Sequence, residues 1–200
     1  MTDDFEKIVY SDEVIAFTAL AGKYCDMVDC VAAFSQRDFV DKSLRLLSIL
    51  YVKALSLPQI EPIDTDLIEK TVTQEEWDEV CNAVAAKLAG FDSYTETFDP
   101  LAGDGAMASL SEGFADIFQD MKDYLSLMQM GSPEMMNDAI WECENNFKNY
   151  WGQRVVNIVR VLHHLIYSGA PLKTDDARTF ERDDRPSWER GNAQSDFGDE

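Results

Sequence analysis

The sequence predicts an all-α fold, an irregular bundle of about five main helices with a long C-terminal helix. Apolar residues recur three and four positions apart through most of the chain, and no stretch alternates apolar and polar residues for long enough to predict a sheet. Signals that start helices precede the apolar runs. A chain of 200 residues, 46% of them hydrophobic, is also long enough to bury one core.

The first two predicted helices cover residues 11–31 and 38–57. Ser11 and Asp38 stand where N-caps belong, since their side chains can accept hydrogen bonds from the first free amides of a helix. The second helix is apolar on most sides, so we expect it to lie centrally, beside the long C-terminal helix. Two residues extend its apolar face around the helix, Leu46 and Ile49.

The third and fourth predicted helices cover residues 73–91 and 109–130. Thr73 and Glu76 have the spacing of a capping box, in which each side chain bonds to the other residue's backbone amide. Ser109, followed by a glutamate three residues later, begins the fourth helix in the same way.

The fifth predicted helix, residues 132–168, is the most strongly patterned part of the chain. Gly131 closes the helix before it, because glycine adopts the left-handed conformation of many helix ends. Ser132 caps the new helix and Pro133 takes its first position, where a missing amide hydrogen costs nothing. We expect one bend, at Gly152.

The connection of residues 92–108 is predicted to be a loop. Its Asp99, Asp104 and Gly105 resemble part of a calcium-binding loop, but the alternating acidic positions and the closing glutamate of an EF-hand are missing. An ordinary acidic turn explains the segment better.

The cysteines and histidines predict neither a metal site nor a cofactor. The chain has no C-x-x-C pair, and His163 and His164 do not stand at ligand spacing from any cysteine. All four cysteines lie on or beside apolar helical faces, so we expect reduced, buried thiols. They are Cys25, Cys30, Cys81 and Cys143.

Charge and hydropathy predict a cytoplasmic protein. The N-terminus lacks the basic and apolar regions of a secretory signal, and no run reaches the ~18 apolar residues of a membrane span. The formal net charge of −21 argues against nucleic acid and anionic membranes as partners, since both need a basic surface. A basic protein partner, a bound cation and mimicry of nucleic acid are all compatible with this charge, and a solvated acidic surface is the simplest explanation of it.

We expect residues 1–168 to form a single helical domain and residues 169–200 to form a polar, mobile tail. The tail holds nine acidic and five basic residues but few apolar ones, so it cannot bury a core of its own. Phe180 and Trp188 are its candidates for docking onto the domain or onto a partner.

Four carboxylates share one side of the fourth predicted helix, as ligands of a metal site would. They are Glu112, Asp116, Asp120 and Asp123. At ~100° per residue these positions point away from the apolar face, so we expect them to face solvent unless another helix covers them. A metal-assisted hydrolase that uses Asp116, Asp120 or Glu144 is the alternative.

Two further groups on the long helix are candidates for chemistry. Glu144 falls within or beside the apolar stripe, where Lys148 one turn later can pair with it or where burial can raise its pKa for proton transfer. Tyr51, Trp151 and Arg154 are candidates for a small-ligand pocket, although packing aromatics with peripheral ion pairs explain them as well.

Three segments resemble a bacterial family of small all-helical proteins that is described only as a domain of unknown function. They are FVDKSLRLLSILYVKA (39–54), ADIFQDMKDY (115–124) and FKNYWG (147–152) continuing to Leu162 and His163. The resemblance covers most of residues 1–168 and implies an all-helical cytoplasmic domain. It implies no activity, cofactor or catalytic residue.

The patterning thus predicts a strong core without convergent catalytic groups. The leading functional hypothesis is a non-enzymatic protein-interaction or regulatory domain. A metal-assisted hydrolase and a small-ligand binder are the alternatives.

Overall fold

The computed structural model describes residues 2–65, 68–97, 101, 103 and 105–174. Within this part the protein is an all-α bundle with one small hairpin, which confirms the predicted fold class. The elements are α1 (Thr2–Val9), α2 (Asp12–Asp29), α3 (Gln36–Ala54), α4 (Gln74–Leu88), β1 (Ser93–Thr97), β2 (Gly105–Ser109), α5 (Leu110–Met130), α6 (Pro133–Asn146), a π-helical segment (Phe147–Trp151) and α7 (Gly152–Tyr167).

All the predicted helices are present, and α1 is an addition that the sequence pattern did not indicate. The start of α3 differs from the prediction. Ser35 is its N-cap, since the Ser35 hydroxyl accepts a hydrogen bond from the amide of Asp38 at 3.1 Å, and Asp38 lies in the first turn. An aspartate is favoured there as well, because its negative charge faces the positive end of the helix dipole. The capping box of Thr73 and Glu76 is confirmed.

A two-stranded hairpin stands where the sequence predicted only a loop, so that prediction was wrong. β1 pairs antiparallel with β2, with Ser93 opposite Ser109. The signal was missed because the strands are short and the inward side of β1 consists of Tyr94 and Glu96, one of them charged. The proposed calcium-loop residues Asp99 and Asp104 lie outside the described residues.

The long C-terminal helix is confirmed as α6 and α7 joined through the π-helical segment. The departure from α-helical geometry ends immediately before Gly152, the position of the predicted bend. A π-turn inserts one extra residue into the helix and so rotates everything that follows it.

The core is rich in aromatic rings. Phe17 lies between Tyr124 and Trp151, with ring centroids 5.3 and 6.3 Å away, and Trp151 is fully buried. Tyr24 stacks on Phe114 and donates its hydroxyl hydrogen to the carbonyl of Phe114 at 2.8 Å. These contacts join α2 to α5 and to the π-helical segment, and α3 packs against both α2 and α7 as expected for a central helix.

After α7 the chain turns back onto α3. Leu172 is buried, and the carbonyl of Lys173 accepts a hydrogen bond from the amide of Arg37 at 3.0 Å. The packed body therefore extends past residue 168, where the predicted tail was placed. Phe180 and Trp188 lie outside the described residues. Among the helices that the structure describes, none is both long and apolar enough to cross a membrane.

Candidate functional site

The carboxylates along one side of α5 are largely covered, so the prediction that they face solvent was wrong for most of the row. Glu112 is exposed, Asp116 and Asp120 are partly buried, and Asp123 is only 3% exposed. The covering groups come from α4, from the connection before it and from the C-terminal helix. The contacts of each carboxylate therefore determine whether it is available for metal binding or catalysis.

Asp116 is surrounded by three donors, one each from α4, the π-helical segment and α7. The indole nitrogen of Trp77 donates to Oδ1 at 3.1 Å, and the hydroxyl of Tyr150 donates to Oδ2 at 2.7 Å. Nε of Arg154 lies 3.4 Å from the same Oδ2. This carboxylate joins α4, α5 and the C-terminal helix, and its hydrogen-bonding capacity is largely used within the chain.

Glu96, on β1, forms a second and deeper pair with the same arginine. It is 2% exposed, and its Oε2 lies 3.0 Å from Nη1 of Arg154. Asn157 donates to Oε1 at 2.9 Å, and the hydroxyl of Tyr94 lies 3.3 Å from that oxygen. Sequence analysis did not indicate this contact, because Glu96 lies in the segment that was predicted to be a loop. Arg154 thus ties the hairpin to α5 and α7.

A third group, here called the Lys70 cluster, consists of Lys70, Asp120, Asp123, Glu142 and Asn146. Nζ of Lys70 lies 2.7 Å from Glu142 and 3.9 Å from Oδ2 of Asp123. Asn146 donates to Asp120 at 2.8 Å. Burial nevertheless raises the pKa of Asp120 to about 6, with the neighbouring carboxylates of Asp123 and Glu142 adding to the rise. The lysine takes the position between carboxylates that a cation would take.

Asp123 also holds the connection between α3 and α4. Its Oδ1 accepts hydrogen bonds from the amides of Thr71 at 2.7 Å and Val72 at 3.0 Å. Asp138 on α6 does the same further upstream, accepting from the amides of Ile63 at 2.6 Å and Asp64 at 2.9 Å. These buried carboxylates satisfy loop amides that have no strand or helix to pair with.

Within the described residues, no group of three or more histidine, cysteine or acidic side chains is arranged to hold a metal ion. The Lys70 cluster encloses a cavity of about 10 Å³, which has room for about one water molecule. Oδ2 of Asp123 is buried there without a hydrogen-bond donor. The thiols of Cys25 and Cys143 are buried, and burial raises the pKa of Cys25 to about 12, which makes it a poor metal ligand or nucleophile.

The remaining candidates take part in packing and ion pairs. Glu144 pairs with Lys148 one turn later, as the spacing indicated. Tyr51 packs edge-on against Phe147, whose ring lies 4.7 Å from that of the fully buried Trp151. Arg154 is held by Glu96 and Asp116.

A larger opening, the α2–α3 groove, lies between the two helices that name it. Its volume is about 530 Å³, and its apolar lining includes Phe34 and Ile49, the latter 50% exposed. Three cationic side chains and one acidic side chain line it as well. The ammonium of Lys42 lies 4.5 Å from the ring centroid of Phe34, a cation–π distance. The complete lining is Leu20, Lys23, Asp26, Met27, Phe34, Lys42, Arg45, Leu46 and Ile49.

A second groove of about 440 Å³ lies where α2 meets α5 and α6. The described residues that line it include no charged side chain, and exposed Tyr10 and Ile15 lie at its mouth. Neither groove is lined by Tyr51, Trp151 or Arg154.

The comparisons with known proteins agree with this fold. The family described as "Domain of unknown function (DUF5063)" matches residues 8–168. The crystal structure of protein BF1032 from Bacteroides fragilis is 35% identical in sequence and superposes with a TM-score of 0.72, covering 80% of this chain and 96% of that one. No curated protein matches the sequence. On this evidence the chain belongs to the DUF5063 family.

Proposed function

We propose that this protein is a non-enzymatic, cytoplasmic interaction domain whose α2–α3 groove binds an acidic, apolar segment of a partner protein. The observation that carries the proposal is the lining of the groove. Lys23, Lys42 and Arg45 lie together around an apolar floor, on a chain whose formal net charge is −21.

The floor supplies affinity and the cations supply orientation. Burying exposed apolar area such as that of Ile49 contributes roughly 25 cal/mol per Å². Lys23 and Lys42 are exposed, so their contribution is mainly to the choice and alignment of acidic residues in the ligand. Arg45 is already bonded to Asp41 at 2.9 Å, which leaves the two lysines as the principal contacts for a carboxylate.

The carboxylates that were candidates for catalysis are bonded to other side chains of the protein, which supports a non-enzymatic role. Asp116 and Asp120 bond to donors on other elements of the bundle, and Glu144 pairs with Lys148 one turn later. The four free cysteines support a reducing compartment, because oxidising compartments favour disulfides.

The test is a zero-length carbodiimide cross-link, which joins a lysine to a carboxylate in direct contact with it. Tagged full-length protein is treated in native lysate beside two variants, Ile49→Asp in the groove and Val156→Asp on α7. Val156 is 44% exposed and lines neither groove, so it matches the change in charge and exposure.

We expect one partner cross-linked in stoichiometric amount, with Lys23 or Lys42 joined to an acidic segment that also carries apolar residues. Ile49→Asp abolishes the product and Val156→Asp retains it. A product that survives Ile49→Asp, or that joins only other lysines, contradicts the proposal.

A metal-assisted hydrolase is the second candidate, and the buried Oδ2 of Asp123 without a hydrogen-bond donor favours it. The ammonium of Lys70, 3.9 Å away, already provides compensating charge there. Metal analysis of the purified protein decides between the two: a stoichiometric divalent ion that is lost in Asp123→Asn supports the hydrolase.

A further inference from the structure

We infer that the α2–α3 groove is also the docking site for the protein's own C-terminal segment, residues 175–200, with Trp188 as the anchor. The intramolecular contact would then compete with the partner segment, and this regulatory part of the inference rests on the proposed function. Three independent observations support the contact.

The first is where the described chain ends. Gln36, 2% exposed, donates its side-chain amide to the carbonyls of Lys87 and Leu88, both at 3.0 Å, and its side-chain carbonyl accepts from the amide of Lys173 at 3.0 Å. The chain is therefore fixed at the N-terminal end of α3. Phe34, which lines the groove, lies two residues before Gln36.

The second is reach. From Arg37, which bonds to Lys173, to Ile49 is roughly 18 Å along α3 at about 1.5 Å per residue. Trp188 follows Lys173 by fifteen residues, a span of up to ~50 Å when extended. The segment can therefore cross the groove with slack to spare.

The third is chemistry. Residues 175–200 contain nine acidic and four basic residues, so the segment as a whole carries an excess of negative charge. Trp188 itself lies between Ser187 and Glu189, with arginines at positions 185 and 190. The groove offers the matching set, an apolar floor with Lys23 and Lys42 at its edge. Tryptophan combines a large apolar surface with few rotatable bonds, which makes it an effective anchor.

The covalent link between residues 175–200 and the domain also favours docking despite the negative charge of both. A separate acidic partner must approach against the charge of a chain with formal net charge −21, whereas residues 175–200 are tethered next to the N-terminal end of α3. A tether of this length holds its end at an effective concentration near the millimolar range, so even weak contacts fill the groove.

The experiment is ¹⁹F NMR of the full chain labelled with 5-fluorotryptophan. The protein has four tryptophans, and Trp188→Phe identifies the resonance of Trp188. The reference for the undocked state is a labelled synthetic peptide of residues 175–200. Ile49→Asp and the Lys23→Ser/Lys42→Ser double variant alter the groove, and Val156→Asp is the control.

We expect the Trp188 resonance to be shifted from that of the peptide and broadened to the width of the resonance of buried Trp151. Both groove variants return it to the peptide position and width, and Val156→Asp leaves it shifted. Circular dichroism confirms that each variant is folded. A narrow resonance at the peptide position in the unaltered chain overturns the inference, as does a shift that depends on protein concentration, which would assign the groove to a second copy.

The readout is separate from that of the proposed function. If the Trp188 resonance is shifted but no partner is cross-linked, the docking inference stands and the proposed partner is contradicted. If a partner is cross-linked but the resonance is not shifted, only the docking inference is contradicted. If both hold, Trp188→Ala increases the yield of the cross-linked partner several-fold, and an unchanged yield contradicts the competition.

Discussion

Gly152 lies directly against Phe147. A β-carbon at position 152 would stand 2.8 Å from two ring carbons of Phe147 and would also collide with its carbonyl oxygen. Five residues separate the two positions, the spacing that a π-turn brings together. Glycine at this position therefore permits the π-helical segment, which in turn places Tyr150 against Asp116.

We expect Gly152→Ala to destabilise the protein, although alanine normally stabilises a helix interior by about 1 kcal/mol relative to glycine. The matched control is Gly22→Ala in α2, where a β-carbon would meet nothing within 4 Å. Urea unfolding should give opposite signs for the two variants. Stabilisation by Gly152→Ala would falsify the close contact.

Arg154 compensates the buried Glu96, so we expect Arg154→Met to destabilise the protein by about 2–3 kcal/mol, since it leaves that carboxylate buried and unpaired. Glu96→Gln in the same chain should recover part of the loss, and a double-mutant cycle measures the coupling. Arg160→Met is the control, because exposed Arg160 donates only to the carbonyl of Thr95 among the described contacts. Equal losses for the two arginines would contradict the assignment.

Asp120 makes stability depend on pH. Burial raises its pKa in the folded protein to about 6, whereas an unfolded aspartate titrates near ~3.9. The folded state therefore binds more protons between these values, and its stability is greatest below the lower value and falls as pH rises through the upper one.

Asparagine at position 120 does not ionise, so we expect Asp120→Asn to stabilise the protein at pH 8 by about 1–2 kcal/mol, an estimate reduced for the partial exposure of the side chain. The gain should shrink at pH 4.5. Glu112→Gln, which removes an exposed carboxylate of the same helix, is the control. Denaturant unfolding at both pH values is the measurement, and a gain that does not depend on pH would contradict the explanation.

Asp123 fixes the start of α4 through the amides of Thr71 and Val72. Asp123→Ala should cost about 1–3 kcal/mol, because both amides lose their acceptor. Hydrogen exchange should quicken at those two amides well before it does in the core of α5. Unchanged exchange at both positions would show that the carboxylate does not hold the connection.

The helices could be predicted because their signals are local. Thr73 and Glu76 cap one helix within a single turn, and apolar periodicity marks the others. The covering of Asp116 could not be predicted, because its partners Trp77 and Tyr150 lie 39 and 34 residues away in the chain. No local pattern reports such a distance.

The groove escaped prediction for a related reason. Leu46 and Ile49 continue the apolar face of α3, and the sequence indicated burial on two sides. In the structure Ile49 is half exposed, because it lines the open groove between α2 and α3. Periodicity identifies an apolar face, but whether a neighbouring helix covers that face depends on the tertiary packing.

The bonds of Gln36 to Lys173, Lys87 and Leu88 hold the chain after α7 against the helical body. The family match ends at residue 168, yet Leu172 is buried and Lys173 bonds to both Gln36 and Arg37. A chain cut at the family boundary loses that apolar anchor and leaves a buried glutamine carbonyl without its donor. Shortened versions of this protein should therefore end after residue 174, where the last of these contacts has been made.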